Sequence, residues 1–84
     1  MYRIILTRRA KKQIKSLPEN VKIKVKGIFI GMKENPFIGD VKKLKVKHNR
    51  YRLRFGSYRI IFDLNKKDVT VFILTVRHRK DAYR

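Results

Sequence analysis

Two runs, Tyr51 to Phe55 and Tyr58 to Leu64, flank the dipeptide Gly56-Ser57, and together they constrain the fold more than any other part of the chain. Both are rich in aromatic and β-branched residues, and a glycine at the first central position suits a two-residue hairpin turn. That turn fixes the register. Phe55 faces Tyr58, Leu53 faces Ile60 and Tyr51 faces Phe62, so one face of the hairpin is apolar and requires a cover. The opposite face sets Arg54 against Arg59, with Arg52 two residues along and Arg50 beyond it. Like charges directly across a strand pair are destabilising. A face built this way is expected to await an anion.

The rest of the chain supplies the cover. Tyr2 to Thr7 reads as a short strand, and Thr7 can cap a helix from about Arg8 to Ser16 that carries Ala10, Ile14 and Leu17 on one face. From Pro18 to Glu34 two patterns compete. Val21 to Lys26 alternates like a strand, while Val21, Val25, Ile28, Phe29 and Met32 mark one side of a helix. The length, Pro18 at the start and Asn35-Pro36 at the end favour the helix, with Gly27 as a local weakness. Pro36 to Asp40 reads as a loop. After a turn at Asn65 to Asp68, Val69 to Val76 is apolar on both faces, as in a central strand. The expected fold is α+β: one domain over 1–84, with two N-terminal helices packed on a twisted, mainly antiparallel sheet.

Charge narrows the class of partner. The chain has 84 residues, 24 of them Lys or Arg and 6 Asp or Glu, for a net charge of +18. Ile, Val, Leu and Phe still account for 28 residues, well above the roughly 20% below which such chains stay unfolded. Self-repulsion on this scale costs stability, so a polyanionic partner is the simplest reason to keep it. There is no Cys and there are only two isolated histidines, His48 and His78, so neither a disulfide framework nor a metal site is expected. No apolar run reaches the roughly 18 residues of a membrane span, and no secretory h-region opens the chain. A soluble, cytoplasmic protein with no membrane partner is expected.

The two kinds of basic residue are segregated. Lysine dominates the first half and reads as a solvated helical surface, whereas seven of the ten arginines lie at or after Arg50. Arginine offers a planar donor fork suited to phosphate oxygens. Between Val41 and Phe62 there is no acidic residue, but there are Lys42, Lys43, Lys45, Lys47, Arg50, Arg52, Arg54 and Arg59. The chain end adds Arg77, His78, Arg79, Asp81 and Tyr83, which combine phosphate clamps, a group titrating near neutrality and a platform for base stacking. The parity of the turn at Asn65 to Asp68 decides which of these share a face with Arg59, and it is open at this level.

These residues resemble the RelE/ParE superfamily of toxins from toxin–antitoxin pairs, the RelE branch in particular. The resemblance rests on Ala10-x3-Ile14-x2-Leu17-Pro18, Asn35-Pro36, Lys43-Leu44, Tyr51-Arg52-Leu53-Arg54, Gly56-x-Tyr58-Arg59-Ile60-Ile61-Phe62 and Val76-Arg77-His78-Arg79-Lys80-Asp81-x-Tyr83. It runs along essentially the whole chain. It implies a ribosome-dependent messenger RNA endoribonuclease that cuts codons in the ribosomal A site. There the ribose 2′-OH attacks the adjacent phosphate without metal or other cofactor, a reaction open to RNA alone. By position, Arg59 and Arg79 would stabilise the charge developing on the phosphate, Tyr83 would orient or stack on the substrate, and Arg52, Arg54, Lys45, Lys47 and Arg77 would contact phosphate. The best-known RelE pattern has Lys at the positions given to Arg52 and Arg54, where Lys is proposed to assist as base. A guanidinium is effectively never deprotonated, so His78 becomes the candidate proton acceptor unless catalysis is mostly electrostatic. Arg77 stands where many relatives have Gly.

The resemblance also implies an acidic, RelB-like antitoxin laid over the basic surface, with messenger RNA and ribosomal RNA as the other partners. Repulsion favours a monomeric free toxin that forms hetero-oligomers with its antitoxin. Two other functions fit the same charge: a ParE-like poison of DNA gyrase, and a non-catalytic RNA-binding module whose affinity would fall steeply with salt.

Overall fold

In the computed structural model, which describes residues 1–81, the chain runs β1 (Arg3–Leu6), α1 (Arg8–Lys15), α2 (Glu19–Glu34), β2 (Asp40–Lys43), β3 (Arg50–Phe55), β4 (Tyr58–Asn65) and β5 (Thr70–His78). The strands form one sheet in the order β1-β5-β4-β3-β2. Only β1 and β5 pair in parallel, with Arg3 opposite Thr70 and Leu6 opposite Ile73. Among the described residues no helix is long and apolar enough to cross a membrane.

The hairpin has the expected register, Phe55 to Tyr58 through Tyr51 to Phe62. Gly56 takes φ 54° in its turn, a conformation that most L-residues adopt only at a cost. Its apolar face supplies the buried Leu53, Ile60 and Phe62. Val21, Val25 and Met32 of α2 join them, with Ile28 and Phe29 packed alongside. Packing on this face therefore decides between the two patterns in α2 in favour of helix. Pro18 sits at the cap, one residue before the helical span. Gly31 lies where an added Cβ would meet the Ile38 Cδ1 at 2.6 Å, which lets the loop after α2 close tightly over the helix.

Thr7 caps α1 by accepting a hydrogen bond from the Ala10 N–H at 3.1 Å. The same hydroxyl donates to the Leu74 carbonyl at 3.1 Å. Because β1 pairs with β5 only as far as Ile73, the later part of β5 has an open edge. Helix α1 covers it, and the Gln13 Oε1 accepts the Val76 N–H at 2.8 Å.

Two boundaries differ from the sequence expectation. Asp40–Lys43 is a strand although it carries one apolar residue and no alternation. Its pairing to β3, Asp40 opposite Arg54 and Lys42 opposite Arg52, supplies the order that its composition does not encode. Strand β5 begins at Thr70 because Val69 has φ 51°, which places it in the turn.

Candidate functional site: an arginine-lined cleft

The face of the sheet opposite the core carries a short matrix of side chains. One row runs Asp40, Arg54, Arg59 and Arg77 across β2, β3, β4 and β5, and the next runs Lys42, Arg52, Ile61 and Thr75. Arg50 stands opposite Asp63 in the third. A β-bulge creates this arrangement. From Asn65 opposite Thr70 to Phe62 opposite Ile73 the two strands keep one register, and from Ile61 opposite Thr75 they keep another, leaving Leu74 as the extra residue. Without the bulge Arg59 would face Val76, and Arg77 would fall on the core side. Bulges commonly re-aim side chains in this way. The Thr7–Leu74 hydrogen bond anchors the bulged residue to the start of α1.

A cleft of about 600 Å³ opens on this face. Its apolar surface comes from Leu44, Ile61 and Leu74, and five arginines among the described residues line it: Arg9, Arg50, Arg52, Arg59 and Arg77. The apolar residues are half-buried, so the cleft offers aliphatic surface beside guanidinium forks, whose planar donors suit phosphate oxygens.

Two carboxylates hold part of this charge in place. Asp63 is 9% exposed and takes a bidentate pair from Arg50, Nε to Oδ1 at 2.7 Å and Nη2 to Oδ2 at 3.0 Å. Lys47 approaches the same carboxylate at 3.6 Å. The Arg50 hydrogen bond holds the Asp63 carboxyl below the ordinary carboxylate range, against the opposing effect of burial. Asp40 engages Arg54 at 3.0 Å and Arg52 at 3.5 Å. The acid-free stretch from Val41 to Phe62 is thus bracketed in sequence by the two acids that partner it in space. The repulsion read from Arg54 facing Arg59 is relieved on the Arg54 side by Asp40.

The site residues expected from sequence divide accordingly. Arg52, Arg59 and Arg77 line the cleft. Arg54 lies on the same sheet face but is drawn to the β2 edge by Asp40, with its side chain 56% exposed. Arg79 is exposed, its backbone N–H still bonded to the Ser57 carbonyl at 2.7 Å, and it is not among the cleft's lining residues. Lys45 and Lys47 flank a separate depression with Lys43, Leu44 and His48. Tyr83 lies outside the described residues. Arg50, read from sequence on the same hairpin face, also lines the cleft, and so does Arg9, which sequence reasoning did not single out. The signal for Arg9 was present, since it is one of only three arginines in the lysine-rich first half.

His78 is on the other face. It pairs across the sheet with Tyr58, one step out of phase with Arg77, and the two rings meet edge to face at 5.1 Å. Its Nδ1 accepts the Lys80 N–H at 3.2 Å, so in the neutral ring the proton resides on Nε2. Neither position nor hydrogen bonding sets His78 as a base toward the arginine cleft.

Comparison with known proteins agrees with this architecture. Residues 4–83 match the family model described as the ParE toxin of type II toxin–antitoxin systems. A curated relative, toxin RelE3 of Methanocaldococcus jannaschii, is 33% identical over 76 residues, covering 86% of this chain and 84% of its own length. Among solved structures, the toxin of the archaeal RelE–RelB complex from Pyrococcus horikoshii OT3 superposes with a TM-score of 0.84 at 29% identity, over 93% of this chain and 94% of that one. The RelB–RelE antitoxin–toxin complex from Methanococcus jannaschii gives 0.78 at 31% identity, over 94% of each chain. With a matching family model over nearly its whole length and RelE toxins as its relatives in sequence and in structure, the chain belongs to the RelE/ParE superfamily of type II toxin–antitoxin toxins.

Proposed function

We propose that this toxin is an endoribonuclease that cleaves messenger RNA in the ribosomal A site, in the cytoplasm, and that the arginine cleft on the open sheet face holds the scissile phosphate. The observation that carries the reading is the convergence of Arg50, Arg52 and Arg59 around an apolar surface, to which the bulge in β5 adds Arg77. In the reaction the ribose 2′-oxygen gives its proton to solvent water and bonds to the adjacent phosphorus, while the bond to the 5′-oxygen breaks and that oxygen takes up a proton from solvent. A 2′,3′-cyclic phosphate and a free 5′-hydroxyl result. Negative charge grows on the phosphate oxygens as the phosphorus becomes five-coordinate. Guanidinium donors already in place strengthen as that charge develops, and such donors are each worth about 3 kcal/mol where they have been removed individually.

No cleft arginine can take the 2′-proton, so the protein's part is electrostatic and positional. Arg59 and Arg77 face the phosphate from adjacent strands. Asp63 and Asp40 keep Arg50 and Arg52 extended over the cleft rather than loose in solvent. Arg54, Arg79, Lys45 and Lys47 form an outer ring of charge for ribosomal RNA. A RelB-like, acidic antitoxin would hold the toxin inactive, in keeping with the RelE–RelB complexes of its structural relatives.

The test adds purified protein to a translation mixture, with and without ribosomes, and maps message ends and their chemistry. Ribosome-dependent cuts within codons, ending in cyclic phosphate, are expected. Intact message with inhibited gyrase supercoiling would instead favour a ParE-like poison of DNA gyrase.

A further inference from the structure

A second cleft, of about 480 Å³, lies around the open edge of β5 from the first, between α1 and the end of that strand. Its volume falls within the roughly 300–1,000 Å³ of small-molecule sites. Tyr58, His78 and Leu17 contribute ring and hydrocarbon surface, and Lys12 adds a cation. Arg9 and Arg77 line both clefts, so the two are neighbours divided by a wall of guanidinium groups. One Arg77 Nη2 hydrogen bond goes to the Asp81 carbonyl. That fixes the side chain at the boundary and uses one of its five donors.

We propose that this second cleft is a nucleotide subsite: it receives the base next to the one held in the arginine cleft, with the linking phosphate passing over Arg9 and Arg77. The proposal rests on the RNA reading above and extends it to specificity. Three features favour a base. The Tyr58–His78 pair, its rings meeting edge to face, lines this cleft with aromatic surface of the kind that bases contact. Phe55 stacks on Tyr58 at 5.7 Å from the hairpin and stiffens that wall. With Nδ1 engaged by Lys80, the His78 Nε2–H is a donor with a fixed position, able to distinguish bases by their acceptors. A strand lying across both clefts would be read at two adjacent positions.

The experiment uses short oligoribonucleotides, 2′-O-methylated against cleavage, each with a single 4-thiouridine moved one position at a time. They are cross-linked to the full chain in the presence of excess heparin, and cross-links are located by mass spectrometry. The expected result is a handover, with one label position marking Leu44, Ile61 or Leu74 and the adjacent position marking Tyr58, His78 or Leu17. Tyr58→Leu should weaken these oligonucleotides about tenfold, the scale of one lost base–aromatic stack, while Tyr58→Phe should not. If every label marks only the arginine cleft, the subsite is refuted and the RNA reading stands. If no heparin-resistant cross-link forms in either cleft, the subsite is refuted, and the RNA reading is decided separately by ribosome-dependent cleavage. Protection of Tyr58 and His78 by an acidic antitoxin, with no RNA cross-link there, would assign the cleft to protein and overturn the proposal.

Discussion

Replacing Asp63 by Asn removes a charge and keeps the shape, which isolates the ion pair that anchors Arg50 in the cleft. The native carboxylate accepts two charge-assisted hydrogen bonds, at 2.7 and 3.0 Å, with its side chain 13% exposed and that of Arg50 30% exposed. Hydrogen bonds to charged groups contribute about 1.5–3 kcal/mol, and breaking a fully buried pair costs about 3–5 kcal/mol. Arg50 can partly rehydrate, and the amide retains one acceptor, so a loss of about 2 kcal/mol is expected. At about 4–8 °C per kcal/mol for a domain of this size, the melting temperature should fall by about 10 °C. The pH dependence supplies the control. Hydrogen bonding to Arg50 lowers the native pKa of Asp63, so its contribution is complete above the unfolded carboxylate pKa of about 3.9 and is lost as pH falls through the native value. Urea titrations of wild type and Asp63→Asn should differ by a constant amount from neutrality down to about pH 5, and should converge at lower pH. A gap that persists unchanged in acid, or one below about 0.5 kcal/mol at pH 7, would refute the anchoring role.

Three further substitutions test the local physics. Gly27→Ala should stabilise by about 1 kcal/mol in chemical denaturation, because an added Cβ meets nothing within 4 Å and alanine is the better helix former. Val69→Asn should raise the melting temperature, since a β-branched residue at φ 51° is strained and asparagine tolerates that region at about 1 kcal/mol less cost. Thr7→Ala should cost about 1–2 kcal/mol by removing the α1 cap. Through the lost bond to Leu74 it should also slow RNA cleavage measured at a temperature where the variant is folded.

The hairpin was legible in full, because period-2 patterning and a glycine turn specify one register, and Arg54 does face Arg59. Helix α2 was legible because its length outweighed a local alternation. Strand β2 was not, since its order comes from Arg52 and Arg54 on its neighbour rather than from its own residues. The chain-end arginines were the harder case. The resemblance assigned Arg77 and Arg79 to the site while the turn parity stayed open, and a single extra residue at Leu74 determines that Arg77 joins Arg59 and that His78 does not. Nothing in the run from Val69 to Val76 marks where such a bulge falls. The acids were hidden for a different reason. Asp40 and Asp63 lie just outside the basic stretch, and only the folded sheet brings them across it.

The central claim is that the arginines inside the cleft, rather than the outer ring of charge, drive cleavage. Single-turnover cutting of ribosome-bound message by Arg59→Ala, set beside Arg54→Ala, tests it most directly. The account predicts a loss of about a hundredfold to a thousandfold for Arg59→Ala, with the fold retained by circular dichroism. It predicts a change within about tenfold for Arg54→Ala, whose ion pair is exposed. Equal losses in the two variants, or wild-type cutting by Arg59→Ala, would contradict it.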